Sequence, residues 1–351
     1  MDEKKKVSVL DVTIRDGSYA INYTYAPDQV EKIVAALDDA GVDLIEIGHG
    51  CGLGAGENIG LTAAASDAEY VLAARKAARR AKIGVIAGPA PITLPKDINT
   101  IIDHVDFIRF FSPFSKLRSL EANIRHVHSI RGDLPLFLQA TMSSRATLEA
   151  LLDACKYAES LQIATLYVVD TAGYFIPEAL EELIAELVAA SNVSIGFHGH
   201  NNLGLAIANS LAAIRGGATS IDASLRGIGR AGGNAQLEAL IPLIQRMGVA
   251  KTIDALKLLN AGEELVKPLM PDQRGIEAVD ILTASVNISI YPVGLFQIIA
   301  REAGIEFEKL IHALGSDPAL VEVDIPAIRH ALESLGVDSA AILKKIGIDD
   351  K

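Results

Sequence analysis

Tryptophan is absent from the 351 residues, and aromatic side chains make up only 5% of them. Stacking platforms for single-stranded nucleic acid are built from aromatic rings, so the composition speaks against that partner. Basic residues are also in deficit. Thirty-two Lys and Arg face 44 Asp and Glu, leaving a formal net charge of -12. A chain of that sign repels phosphate backbones, and no nucleic acid is expected as a partner. Cysteine is limited to Cys51 and Cys155. Two thiols supply neither a disulfide framework nor a tetrahedral thiolate site, and a reducing cytoplasm is the expected setting. No apolar run approaches the roughly 18 residues of a membrane span, so no membrane is expected. The start, MDEKKKVSVLDVTIRDG, lacks a signal-peptide core because Asp11 and Arg15 interrupt it. No low-complexity linker divides the chain.

What is present is a hydrophobic half, 50% of all residues, which is ample for one large core. Short β-branched runs begin at Val7, Asp43, Lys82, Val105, Leu134, Ala164, Val193 and Ala218. Ala- and Leu-rich stretches of helical period separate them, such as PDQVEKIVAALDDAG, with Pro27 near its start and Gly41 past its end. The runs are apolar on both faces, as strands of a helix-covered parallel sheet are. About eight β/α units in about 250 residues is the pattern of an α/β fold of the (β/α)8 TIM barrel type. A doubly wound sheet has fewer units and a Gly-rich first turn. From residue 251 to 351 helical segments follow one another without strands. The expected organisation is therefore a barrel over 1–250 and a C-terminal helical region over 251–351 packed on it.

Strand ends form the working face of such a barrel. The first strand is expected to end at Thr13, Arg15 and Asp16, the second at Glu46, Gly48 and His49. The fourth carries Arg109, the fifth Gln139 and Thr141, the sixth Asp170 and Thr171. The seventh ends in "HGHN". Residues two apart on a strand face one way, so His198 and His200 point together into the mouth. Asp16 lies two strands away around the ring. Two imidazoles and a carboxylate suit Mn, Fe, Co or Zn; the plainer reading is a pair of hydrogen-bonded histidines. Arg15 suits a carboxylate or a developing oxyanion, or else a rim salt bridge with Asp16. Arg109 and Asp170 read equally as site groups or layer-filling ion pairs. His49 reads as a substrate-side group or a satisfied loop histidine, and Cys51 as an inert thiol. "RGIGRAGGNAQLE", from Arg226, is a glycine-rich turn without Walker spacing. Its Asn234 either orients a ligand or caps the next helix.

"TIRDG", "HGHNNLGLAIANS" and "GRAGGNAQLE" together resemble the DRE-TIM metallolyases. That family includes isopropylmalate and homocitrate synthases, hydroxymethylglutaryl-CoA lyase and the 4-hydroxy-2-oxovalerate aldolases. The likeness to the aldolases is the closest. It extends through "IEIGHG", "DASL" and "VKPLMPDQ" to "NISIYPVGLF", most of the chain. The resemblance implies divalent-metal ligands at Asp16, His198 and His200, with Mn2+ expected and Mg2+, Co2+ or Zn2+ as substitutes. It implies that Arg15 stabilises a pyruvate enolate, that Tyr291 reaches the site from beyond the barrel, and that Thr171 stands where the aldolases carry a substrate-side serine. Two positions depart from it. Tyr19 replaces the histidine that serves the aldolases as base, and Cys51 replaces an acid in their "HGDGL" loop. The implied activity is cleavage of a 4-hydroxy-2-oxo acid to pyruvate, or a related 2-oxo acid, and an aldehyde, with Arg15, Tyr19, His49 and Tyr291 as catalytic groups and Arg15, Thr171 and Asn234 holding substrate. An acyl-CoA condensing enzyme and a non-catalytic metal-binding homologue are the alternatives. A homo-oligomer and an acylating aldehyde dehydrogenase are the protein partners the resemblance brings with it.

Overall fold

The computed structural model describes residues 7–270 and 275–348. Residues 1–6 of the basic start and Pro271, Asp272 and Gln273 of "VKPLMPDQ" lie outside that range. Eight parallel strands close into a barrel in sequence order: β1 (Ser8–Asp11), β2 (Leu44–Ile47), β3 (Lys82–Ala87), β4 (Phe107–Pro113), β5 (Leu136–Thr141), β6 (Thr165–Asp170), β7 (Ser194–Gly199) and β8 (Ser220–Ala223). Strand β8 pairs with β1 from Ser8 opposite Ser220 to Asp11 opposite Ala223, which shuts the ring.

The helices between strands are α1 (Pro27–Ala40), α2 (Ala55–Asn58), α3 (Asp67–Ala77), α4 (Pro95–Ile101), α5 (Glu121–Ile130), α6 (Leu148–Ser160), α7 (Pro177–Ala190) and α8 (Ala206–Gly216). Their ends follow local chemistry. Pro opens α1, α4 and α7, where its missing N–H costs nothing. Ser66 caps α3 and Thr147 caps α6. After β8 come α9 (Leu237–Arg246), α10 (Ala255–Ala261), α11 (Ala278–Ser285), α12 (Val293–Ala303), α13 (Phe307–Gly315), α14 (Ile325–Ser334) and α15 (Ser339–Lys345). No helix among the described residues is long and apolar enough to cross a membrane.

Two hydrophobic cores result. One lies between barrel and outer helices and runs to Val266, taking in Leu258 and Ala261 of α10. The other spans Ile288 to Leu343. The seam between them is polar. Arg145 donates to the carbonyls of Asn287, at 2.5 Å, and Val286, at 3.0 Å. Arg230 donates to Ser289 Oγ at 2.7 Å, and Lys116 pairs with Glu322.

Inside the barrel, inward positions recur every second residue: Phe107, Arg109 and Phe111 on β4; Phe137, Gln139 and Thr141 on β5; Gly196 and His198 on β7, then His200 just past it. Part of the interior is apolar, with Leu10, Val12, Phe107, Tyr167 and Val169 packed together. Two of its rings take their room from glycines on the neighbouring strands. A Cβ on Gly84 would lie 2.2 Å from the Phe107 ring, and one on Gly196 would lie 2.6 Å from the Tyr167 ring.

One expectation is corrected. The first strand stops at Asp11, not at Thr13, Arg15 or Asp16. The Asp11 carboxylate accepts from the N–H of Thr13, at 3.0 Å, and from its hydroxyl, at 2.7 Å. The Asp16 N–H then bonds back to the Val12 carbonyl at 2.9 Å. "TIRDG" is thus a tight turn above the strand, and it swings Arg15 and Asp16 inward.

Gly84→Ala should destabilise the fold by about 1–3 kcal/mol, because a buried ring must leave its place. Gly294→Ala on α12, where added carbon meets nothing within 4 Å, should be neutral or stabilising by up to about 1 kcal/mol. Urea unfolding of the two variants checks the pair, and equal stabilities would refute the layer argument.

Candidate active site

The mouth of the barrel opens on a cavity of about 310 Å³ whose floor holds Arg15, Asp16, His198 and His200. Asp16, His198 and His200 each place a ligand atom within 4.8 Å of the others. Among the described residues no other three His, Cys, Asp or Glu side chains meet in this way.

Each histidine is oriented from behind. His198 Nδ1 lies 2.9 Å from Asp222 Oδ2, and His200 Nδ1 lies 3.0 Å from the Thr171 carbonyl. Both acceptors fix the proton on Nδ1 and leave the Nε2 lone pair free. His200 Nε2 is buried without a hydrogen-bond partner. It stands 3.7 Å from Asp16 Oδ2, too far to bond it. Burial pushes the His198 imidazole below its ordinary value against the pull of Asp222, so the ring is neutral, as a ligand must be. Burial alone would raise the Asp16 carboxyl, but the Arg15 guanidinium and then His200 hold it well below the usual carboxylate range. A carboxylate and two imidazoles with their outer nitrogens engaged fit a divalent cation.

Beneath this triad lies a chain of buried charges. Arg15 Nε donates to Glu46 Oε1 and its Nη1 to Asp16 Oδ1, both at 2.6 Å. Arg109, with no exposed surface, grips both oxygens of Glu46 at 2.6 Å and Asp222 Oδ2 at 2.5 Å. Three carboxylates thus face two guanidiniums, one negative charge in excess. A divalent cation reverses that imbalance, which supports the fit.

Asn234 Nδ2 donates to Asp16 Oδ2 at 2.8 Å. The helix after it is entered at Gln236, so Asn234 caps nothing and instead steadies Asp16. Only glycine fits beside this contact, since a Cβ on Gly229 would lie 2.3 Å from Asn234 Nδ2. Asp170 faces away from the cavity. It accepts from the N–H groups of Tyr174 and Phe175, and burial pushes its carboxyl up to about 6. Thr171 lines the cavity, and its Oγ1 accepts from the Met142 N–H at 2.8 Å.

The far end of the cavity is a knot of hydroxyls. Tyr19 Oη lies 3.2 Å from Cys51 Sγ, Tyr23 Oη 3.5 Å from the same sulfur, and Tyr23 Oη 2.9 Å from Tyr291 Oη. Tyr291 comes from the second core's side of the seam, and its ring meets Tyr19 edge-on at 5.5 Å. Burial, then the Cys51 thiol, pushes the Tyr19 hydroxyl well above the ordinary phenol range, so it holds its proton. His49 does not line this cavity. Its ring stacks on Tyr23 at 4.1 Å, its Nδ1 accepts from the Cys51 N–H at 3.0 Å, and its Nε2 meets the Leu61 carbonyl at 2.8 Å. Glu46, Asp222 and Tyr23 are the residues whose roles the sequence left unassigned. The inward period of two marks Glu46 and Asp222; nothing in the sequence marks Tyr23.

The family model described as HMGL-like matches residues 6–265. A protein of Mycobacterium tuberculosis (strain ATCC 25618 / H37Rv) named oxaloacetate decarboxylase is 36% identical over 89% of this chain and 91% of its own. A protein of Geobacillus genomosp. 3 named 4-hydroxy-2-oxovalerate aldolase is 36% identical over 92% of each chain. Among solved structures, the carboxyl transferase domain from Rhizobium etli pyruvate carboxylase, with pyruvate and biocytin, superposes with a TM-score of 0.76. That match has 15% identity over 96% of this chain and 62% of the other, and it establishes a shared fold alone.

Asp222→Asn weakens the acceptor behind His198 and leaves Arg109 short of a counter-charge. Mn2+ affinity by calorimetric titration should fall about 10- to 100-fold. An unchanged dissociation constant would show that the contact does not orient a ligand.

Proposed function

This chain belongs to the HMGL-like family of DRE-TIM metallolyases and is a carbon–carbon lyase, and we propose that it cleaves a 4-hydroxy-2-oxo acid to pyruvate, or a related 2-oxo acid, and an aldehyde, with Mn2+ as the divalent ion. The carrying observation is the pairing of a three-ligand cluster with Arg15, whose Nη2 is buried without a partner beside it. Asp16, His198 and His200 hold the ion in this reading. When bound, it supplies Lewis-acid polarisation of the 2-oxo group.

Arg15 does the rest at that end. Two of its nitrogens are fixed by Glu46 and Asp16, so the third is presented in a set direction without reorganisation. It donates to the oxygen that gains charge as the C3–C4 bond breaks and its electron pair moves toward C2. Such a pre-aimed donor contributes most in a cavity that excludes water. The C4 hydroxyl passes its proton to solvent water as the aldehyde forms, and C3 takes one from solvent to give the 2-oxo acid. Tyr19 borders the space where that hydroxyl would lie. With its proton retained, it is a donor to the C4 oxygen and suits the addition direction better than cleavage.

That same end favours a second reading, decarboxylation of an oxaloacetate-like 2-oxo acid. Loss of CO2 leaves the same enolate and needs no base. The two positions where the sequence departs from the aldolases, Tyr19 and Cys51, touch each other. The base and its acidic neighbour in the aldolases are thus exchanged together, and burial holds the proton on the Tyr19 hydroxyl that stands in the base's place. The relative named oxaloacetate decarboxylase agrees with this reading.

A panel of 4-hydroxy-2-oxo acids and oxaloacetate, with Mn2+, Mg2+, Co2+ or Zn2+ added, separates the readings by product: aldehyde or CO2. Thiol release from acetyl-CoA would point instead to a condensing enzyme. Arg15→Lys should keep fold and metal content yet lose about 100- to 1,000-fold in turnover under either reading; a near-normal rate would reduce Arg15 to a salt bridge. If the aldol reaction is the one catalysed, Tyr19→Phe removes the donor to the C4 oxygen and should slow addition of an aldehyde to pyruvate by about 100-fold while sparing deuterium exchange at the pyruvate methyl. If decarboxylation is the reaction, the same variant should leave its rate nearly unchanged.

A further inference from the structure

Buried polar atoms without a partner are few in folded proteins, and each asks for a reason. Three lie on residues that line the cavity: Arg15 Nη2, His200 Nε2 and Gln139 Nε2. The first two are absorbed by the reading above; Gln139 has no role in it. Its side chain sits at an inward position of β5, between Phe137 below and Thr141 at the rim, and only 3% of its surface is exposed. A leucine of similar size would fill the same space without stranding an amide N–H.

We infer that Gln139 is a substrate-binding residue that donates from Nε2 to the carboxylate of the 2-oxo acid. This inference rests on the proposed function. The order of the ring sets the chemistry. Gln139 lies on β5, Thr171 follows β6, and His198 and His200 end β7, so these groups run side by side along one wall. Thr171 Oγ1 already accepts from the Met142 N–H and keeps its own hydrogen to give. Arg15 and Asp16 follow β1 on the other side of the mouth. A carboxylate offers several lone pairs, more than a cation alone takes up, and the remainder need donors beside the cation site. Gln139 and Thr171 are neutral donors on that wall and leave the buried charge balance untouched.

The test titrates pyruvate, and separately oxalate, into the Mn2+-loaded protein by calorimetry. Gln139→Leu should bind both about 10- to 100-fold more weakly, as expected when a hydrogen bond to a charged group is lost. Gln139→Glu should be weaker again, through repulsion of the ligand's carboxylate. The melting temperature of unliganded Gln139→Leu should match or exceed the wild type, because a stranded amide is removed, and Mn2+ affinity should be unchanged. Should Gln139→Leu fail to fold, Gln139→Met is titrated in its place. Pyruvate affinity within about threefold of wild type would overturn the assignment. So would a lowered melting temperature with intact affinity, which is the signature of packing alone. A wild-type protein that binds Mn2+ but neither ligand would overturn the proposed function, and this inference with it.

Discussion

Glu46 holds two arginines apart. With one carboxylate it fixes Arg15 at the mouth and Arg109 in the barrel interior, and through Arg109 it reaches Asp222 and His198. Every contact in this chain is fully or nearly buried. Buried charges are expensive, and hydrophobic packing of the same volume is often as stable. What apolar packing lacks is direction. The chain sets the angle of the Arg15 fork and the tautomer of His198 at once, so both side chains are positioned by one network. Removing any member strands a charge, with a typical cost of about 3–5 kcal/mol.

The barrel and its metal-type cluster were legible because both follow short periods. Alternating strands and helices announce the ring, and a spacing of two puts His198 and His200 on one face. Asp16 could be placed because β1 and β7 are fixed relative to each other once the ring closes. The rest is less legible for physical reasons. Glu46 and Asp222 are polar residues at inward positions, but only closure brings them to Arg109 across 63 and 113 residues. Asp11 ends β1 early through bonds to Thr13, a local competition that β-branched residues conceal. Asn234 looks like a helix cap from its neighbours in sequence, yet its partner is Asp16, 218 positions away.

His49 shows the converse. Its place after β2 resembles a catalytic position, but both ring nitrogens are taken by backbone groups, and burial pushes its pKa down. It supports the Tyr23 ring and the Cys51 loop. The groups that meet at this end of the cavity are Tyr19, Cys51, Tyr23 and Tyr291, and burial pushes the Tyr19 and Tyr23 hydroxyls above the ordinary phenol range. One end of the cavity carries the candidate ligand cluster and the Arg15 fork, the other a group of hydroxyls.

The cavity crosses the polar seam. Its floor belongs to the barrel, whereas Ile290, Phe296, Val321 and Val323 of its wall come from the segment that carries the second core. The two parts answer to different packing constraints. A substitution among the helices from α12 to α14 can reshape the wall without disturbing Glu46 or either arginine. The shape of the wall can thus change while the buried charge chain beneath it stays constant.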